Sequence, residues 1–304
     1  MTYTHPEYLV SPDWLEDHLD DPAIRILDVT AKLSSKLDNG AGKQCYGEAH
    51  IPGSFFFDVP SAKGVLSQGD TDLPWMWPSP AQFEATMIEF GVGTDSRVVL
   101  VARTPRPGVD SGTMWCTRAW WTMHHFGVDC AILHGGIERW EAERRPMTSA
   151  ATSPTAAATP LSLEAEWEQA RATSADVLAA VGGIADRTGR VCLVDALAPE
   201  SYDGTQGAYG SRPGHITGAV NVPFRSLIDA ETCGFVDPEK MSEVLTGAGL
   251  LNAPEVITYC GGAIAATVDA FCLALLGHEH VSVYDGSLME WTANPDLPIT
   301  NPSA

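Results

Sequence analysis

The sequence predicts an α/β protein built from two similar domains, each a mostly parallel central sheet with helices on both faces. Three observations carry that expectation. Short apolar runs rich in Val, Ile and Leu alternate with segments of helical period. The order of these runs in the first half recurs in the second. A stretch made almost wholly of Ala, Thr, Ser and Pro, from Pro146 to Pro160, divides the halves. Strands that are apolar throughout and separated by helices imply a parallel sheet buried on both sides.

In the first half the order is Ile26-Leu27-Asp28-Val29, then Gly47-Glu48-Ala49-His50-Ile51-Pro52-Gly53, then Val98-Val99-Leu100-Val101-Ala102, then His134-Gly135-Gly136-Ile137-Glu138-Arg139-Trp140. The second half follows with Leu193-Val194-Asp195-Ala196, then Pro213-Gly214-His215-Ile216-Thr217-Gly218-Ala219, then Val256 to Cys260, then Asp285-Gly286-Ser287-Leu288-Met289-Glu290-Trp291. Equivalent points draw closer along the chain, which places longer loops in the first copy. Helical spacing of apolar residues predicts helices over Pro12 to Leu19, Pro80 to Phe90, Thr113 to Phe126 and Ala263 to Leu276. The resulting division is 1–147 for the first domain, 148–160 for a linker that cannot bury a core, and 161–304 for the second domain.

Bulk properties narrow the function. At 304 residues, with 44% hydrophobic and 19% charged residues, the chain is an ordinary globular protein long enough for two cores. Its 18 Lys+Arg stand against 39 Asp+Glu, a formal charge of −21, so nucleic acid is repelled and excluded as a partner. No run approaches a membrane span. The acidic stretch from Met1 to Pro22 does not read as a secretory signal, and the seven cysteines contain no CxxC pair. These features fit a reducing compartment, the cytoplasm. No cluster of His, Cys and carboxylates has ligand spacing, so neither metal nor organic cofactor is expected.

The chemistry centres on Cys260. It ends the apolar run Val256-Ile257-Thr258-Tyr259 and is followed at once by Gly261-Gly262-Ala263 and a helix-like stretch. Strand, thiol, glycine turn and helix start bring unpaired N–H groups around one sulfur, and such groups favour negative charge. A thiol placed there, open to substrates, is expected to ionise more readily than a free one and to act as a nucleophile. The bland reading of a strand-end cysteine is core filling, and it suits Cys192 and Cys272, which lie in a strand and on an apolar helix face. The first copy carries Ala102 at the equivalent point and cannot perform thiol chemistry.

These motifs resemble the tandem rhodanese-domain sulfurtransferases, the group of thiosulfate and 3-mercaptopyruvate sulfurtransferases. The resemblance runs from about Leu9 to Ile299. It rests on His50 to Gly53, on His215 to Gly218 continuing into Asn221-Val222-Pro223-Phe224, on Tyr259-Cys260-Gly261, and on Gly286-Ser287-x-x-Glu290-Trp291. It implies two rhodanese-like domains, the first catalytically inactive. It also implies a Cys260 thiolate that takes sulfane sulfur from a donor, holds it as a persulfide against the loop Gly261, Gly262, Ala263, Ile264 and Ala265, and yields it to cyanide or a thiol. A protein acceptor for the sulfur is a further implied partner.

The chain departs from the family where the donor is gripped. Arginines in the family's Asp-Ala-Arg and Arg-Tyr/Phe-x-Gly patterns are here Leu197 and Ser201, and the basic or serine position after the cysteine is Gly262. Either another cation takes over, with Arg103, Arg106 and Arg212 as the candidates, or the donor is not a small dianion and the pocket suits a less charged or organic persulfide. Without the loop serine, His50 and His215 are expected to bond backbone rather than act as catalysts, and Trp75, Trp77, Trp115, Trp120 and Trp121 to fill core. Two alternatives stand beside the enzyme. A phosphatase of similar architecture needs a loop arginine, and none lies between Cys260 and Thr267. A sulfur carrier would present the same persulfide to a partner without turning over small acceptors.

Overall fold

A computed structural model describes residues 2–109, 111–154, 159–163, 169–185, 190–206 and 209–304. Residues 155–158 of the expected linker lie outside the described residues. The chain divides into two compact units. One spans Glu7–Glu166 together with Ala230–Phe235; the other comprises Met1–Pro6, Trp167–Asp229 and Val236–Ala304. The N-terminal segment belongs to the second of these because the N–H groups of Thr4 and His5 both donate to the Leu275 carbonyl, at 2.9 and 3.1 Å.

In the N-terminal unit the elements are β1 (Leu9–Val10), α1 (Pro12–Asp17), β2 (Ile24–Asp28), α2 (Gly40–Glu48), β3 (Phe55–Phe56), α3 (Pro80–Glu89), β4 (Arg97–Val101), α4 (Gly112–His125), β5 (Cys130–Leu133) and α5 (Gly136–Ala142). Their sheet runs β1-β5-β4-β2-β3, parallel throughout. The C-terminal unit holds β6 (Arg171–Ala172), α6 (Ser174–Ala185), β7 (Val191–Asp195), α7 (Pro199–Tyr202), β8 (His215–Ile216), β9 (Val220–Asn221), α8 (Pro238–Gly247), β10 (Glu255–Tyr259), α9 (Ala266–Leu275), β11 (Val281–Tyr284), α10 (Ser287–Trp291) and β12 (Ile299–Thr300). Its main sheet runs β6-β11-β10-β7-β9, again parallel, with β8 and β12 forming a separate antiparallel pair. The two sheets thus repeat one order, as the sequence repeat predicts.

Burial explains the strands. Val98 to Val101 of β4 are fully buried, and in β10 Val256 to Tyr259 are buried after an exposed Glu255. In the N-terminal unit, Ile26, Val99, Val101, Leu15, Ile137 and Trp140 belong to one continuous core. The expected tryptophans fill that unit too: Trp77, Trp120 and Trp121 are buried, and Trp75 and Trp115 nearly so. His50 and His215 take matching structural places. His50 stacks on Tyr46 at 4.0 Å with Nδ1 2.8 Å from the Tyr46 carbonyl, and His215 stacks on Tyr202 at 3.7 Å with Nδ1 2.8 Å from the Tyr202 carbonyl.

The topology singles out one position. From β7 the chain goes to β9 on one side of the sheet, and from β10 it goes to β11 on the other. Connections that part between two neighbouring strands open a crevice beyond their C-terminal ends, where α/β folds bind ligands. Asp195 ends β7, Tyr259 ends β10, and the two are paired in register. The next residue is Cys260.

Candidate active site

The helix expected from Ala263 begins three residues later, at Ala266, and the intervening residues form a loop around the thiol. Ala263 adopts a left-handed φ of 59°, which turns the chain back towards the strand end. The N–H groups of Ala266, Gly262 and Ile264 are directed at the Cys260 sulfur. Ala266, the first residue of α9, was not among the residues predicted from the sequence. Its N–H is available because α9 has no side-chain cap, Ala265 standing at the N-cap. By contrast α1, α3, α4 and α8 are capped by Ser11, Ser79, Ser111 and Asp237, whose side chains accept N–H groups of the first turn. The missing cap leaves the sulfur to take its place.

The main chain of Cys260 is fixed from below by the turn into α10. Its N–H donates to the Ser287 hydroxyl at 3.3 Å, and that hydroxyl donates to the Tyr284 carbonyl at 2.8 Å. Its carbonyl accepts the Leu288 N–H at 3.0 Å, while Gly261 accepts that of Met289 at 3.0 Å. Thr258 and Thr267 tie the loop to the helix start through hydroxyl bonds to the carbonyls of Ala266 and Ile264, at 3.0 and 2.7 Å. The N-terminal unit keeps the same frame with Ala102 at the position of the cysteine. There the Ile137 N–H donates to the Ala102 carbonyl at 3.0 Å, Gly136 stands where Ser287 does, and Ser111 caps the helix.

The thiol itself differs from the sequence-based expectation. Cys260 is only 3% exposed, and burial pushes its pKa above the ordinary thiol value despite the three N–H groups. The Asp195 carboxylate adds to the upward push. Pattern alone showed the amide dipoles; it did not show that desolvation outweighs them. Asp195 is fully buried, accepts the Leu197 N–H at 2.9 Å and has the Tyr259 hydroxyl beside it; burial raises its own pKa to about 6. Farther along α9, Asp269 is fully buried with neither carboxylate oxygen hydrogen-bonded, and burial raises its pKa well above the carboxylate range.

A test of this electrostatic picture follows from the signs. At pH 7 to 8 Asp195 is largely ionised and disfavours the Cys260 thiolate; below pH 5 it is largely protonated and does not. Asp195→Asn retains an oxygen for the Leu197 N–H, and is expected to speed alkylation of Cys260 by iodoacetamide about two- to tenfold at pH 8. The advantage should fade below pH 5. Peptide mapping of the modified cysteine measures it, and an equal or slower rate at pH 8 would contradict the assignment.

The predicted cations have definite places. In the unit of Cys260, Arg212 donates to the carbonyls of Thr292, Trp291 and Asn294 at 3.2, 3.3 and 2.7 Å, clamping the end of α10. In the other unit, Arg103 makes a two-pronged ion pair with Glu141 at 2.6 and 2.9 Å, and Arg106 donates to the Leu33 carbonyl at 3.3 Å. Leu197, at the lost arginine position, is 5% exposed and packs as core. One residue against the thiol's loop was not read from the sequence. Tyr209 lays its ring over Gly261, so close that a Cβ on that glycine would fall 2.3 Å from Tyr209 Cδ1. Burial raises its phenol pKa, with the Cys260 charge adding to the rise. Among the described residues no group of three or more His, Cys, Asp or Glu is placed to hold a metal, and no helix is long and apolar enough to cross a membrane.

Known proteins align with this chain over nearly all its length. The Rhodanese-like domain profile matches residues 11–143 and again 180–294. The 3-mercaptopyruvate sulfurtransferase of Escherichia coli (strain K12) is 30% identical over 296 residues, covering 96% of this chain and 97% of that protein. The thiosulfate sulfurtransferase of Rattus norvegicus is 32% identical, covering 93% and 91%. Sulfur carrier protein TtuD of Thermus thermophilus is 30% identical, covering 98% of each. The crystal structure of SseA, a 3-mercaptopyruvate sulfurtransferase from Escherichia coli, superposes with a TM-score of 0.76 at 28% identity, over 92% of this chain and 98% of that one. A doubled profile match, relatives aligned end to end and a shared architecture agree: the chain belongs to the rhodanese-like family, in its two-domain sulfurtransferase branch.

Proposed function

We propose that Cys260 carries sulfane sulfur from a small donor, thiosulfate, 3-mercaptopyruvate or a relative of them, to a thiophilic acceptor such as cyanide or a thiol. The observation that carries this reading is the set of N–H groups from Gly262, Ile264 and Ala266 aimed at one sulfur at the switch point of the sheet. The thiol first gives up its proton. The thiolate then attacks the donor's outer sulfur; the new S–S bond forms as the bond from that sulfur to the rest of the donor breaks and its electron pair leaves with the departing group. In the second half-reaction the acceptor attacks the same sulfur and the Cys260 thiolate is regenerated. Both steps end with negative charge on a sulfur in the cradle, where fixed amide dipoles in a buried site act most strongly.

Gly261, Ala263 and Ala265 shape the cradle. Donor binding by Arg212, in the unit of Cys260, belongs to the same proposal. The seven cysteines are all free, which supports a reducing compartment, the cytoplasm. One observation favours a second reading: the relative named as a sulfur carrier aligns end to end. On that reading the Cys260 persulfide waits for a protein acceptor.

Initial rates across a panel of donors and acceptors separate the two. Parallel double-reciprocal lines, the mark of two half-reactions through a covalent enzyme form, are expected for the enzyme. Loading without release to any small acceptor would favour the carrier, and no sulfur movement from any donor would overturn both.

A further inference from the structure

The family's anion-gripping arginines are replaced in this chain by Leu197 and Ser201, yet the loop that follows β9 carries another arginine in a turn tied to the chain just past the end of β7. Phe224 opens a 3₁₀ turn, Phe224–Leu227, whose N–H donates to the Ala196 carbonyl at 2.9 Å, just beyond the end of β7. The same turn packs against α9, the helix that opens the cradle. Arg225 is exposed in that turn, as is Ser226, and its guanidinium lies 5.0 Å over the Phe224 ring, an arrangement that orients the planar fork. Tyr209, 48% exposed, covers the Gly261 backbone from the solvent side. Burial raises the Tyr209 phenol, the Cys260 charge adds to the rise, and the Arg225 charge opposes it.

We propose that Arg225, with the Tyr209 ring as the adjoining wall, binds the oxyanion group of the sulfur donor and presents its outer sulfur to Cys260. The proposal rests on the sulfur-transfer reading and deepens it by naming the residue that grips the donor's carboxylate, sulfonate or similar anionic end. A planar guanidinium suits such a group because two parallel N–H donors meet two oxygens. Leu197 and Ser201 then mark a displacement of the anion site from β7 to the loop after β9, within the same unit.

Two alkylating probes test it without requiring sulfur transfer. Iodoacetate carries a carboxylate and iodoacetamide does not, while both react with the same thiolate. The ratio of their rates at Cys260 therefore cancels any change in thiol pKa. In Arg225→Ala this ratio is expected to fall about tenfold, by loss of one charge-assisted contact. Arg225→Lys should fall between the two, and added salt should lower the wild-type ratio towards that of Arg225→Ala. Tyr209→Ala is expected to slow iodoacetate more than Tyr209→Phe, since the wall is the ring rather than the hydroxyl. The matching kinetic readout is the KM for thiosulfate and mercaptopyruvate, expected to rise about tenfold in Arg225→Ala with less change in kcat. A ratio within twofold of wild type in Arg225→Ala would overturn the proposal. Failure of the unaltered protein to move sulfur from any donor would instead overturn the sulfur-transfer reading.

Discussion

Cys260→Ser is expected to lose sulfur transfer by about three orders of magnitude or more, because a hydroxyl at neutral pH offers no nucleophile to match a thiolate. The substitution is conservative in shape. The N–H groups of Gly262, Ile264 and Ala266 can turn to the serine oxygen, and the bonds from Ser287 and Leu288 to the Cys260 main chain do not involve the side chain. Stability is therefore expected within about 1 kcal/mol of wild type, since no core volume or buried bond is lost. Thermal unfolding and donor turnover, measured on one preparation, separate chemistry from folding. Transfer retained at more than a few per cent in the variant would move the reaction to another residue. Cys192 and Cys272 are poor substitutes: burial raises both thiols as it does that of Cys260, but neither is followed in the sequence by a glycine turn that would bring N–H groups to oppose it.

The second large effect is structural. Trp291 is fully buried, its Nε1 donates to the Pro298 carbonyl at 3.0 Å, and it meets the Tyr284 ring edge-on with centroids 6.1 Å apart. Trp291→Ala is expected to cost about 3–5 kcal/mol through the cavity left and the lost packing. It also loosens α10, whose first turn supplies the N–H groups holding the Cys260 and Gly261 carbonyls. The C-terminal unit should melt roughly 10 °C lower, and the folded fraction should turn over more slowly because the cradle is less fixed. Trp140 is an internal control. It occupies the repeated position, is fully buried and donates from Nε1 to the Pro146 carbonyl at 2.8 Å, but the strand end above it carries Ala102. Trp140→Ala should lose similar stability with a smaller effect on Cys260 alkylation. Equal melting temperatures for Trp291→Ala and wild type would contradict the packing account.

Much of this was legible in the sequence because it is local. Apolar runs fixed the strands, the repeat fixed the shared strand order, and the run from Thr258 to Ile264 announced a thiol facing a turn of N–H groups. What the pattern missed depends on tertiary placement. The helix start was predicted three residues early, since Ala263, Ile264 and Ala265 have good helical composition; the left-handed φ at Ala263 and the demands of the sulfur hold them out of the helix. For that reason the Ala266 N–H went unread. The thiol's raised pKa comes from burial and from Asp195, whose distance from Cys260 along the chain hides its proximity in the sheet. Ser287 was visible as part of a motif, but its hydroxyl's bond to the Cys260 N–H is visible only in three dimensions. Arg212 is read as an anion ligand because it is a cation next to the His215 motif; the carbonyls at the end of α10 that it also binds lie about eighty residues on and are visible only in three dimensions. Tyr209 and Arg225 stand in loops whose spacing follows no period.

The most direct test is the mass of the peptide containing Cys260 after the protein meets thiosulfate or mercaptopyruvate. Gain of one sulfur on Cys260, removed again when cyanide is added, is the predicted result. Sulfur found on a different cysteine, or on none with any donor, would contradict the account.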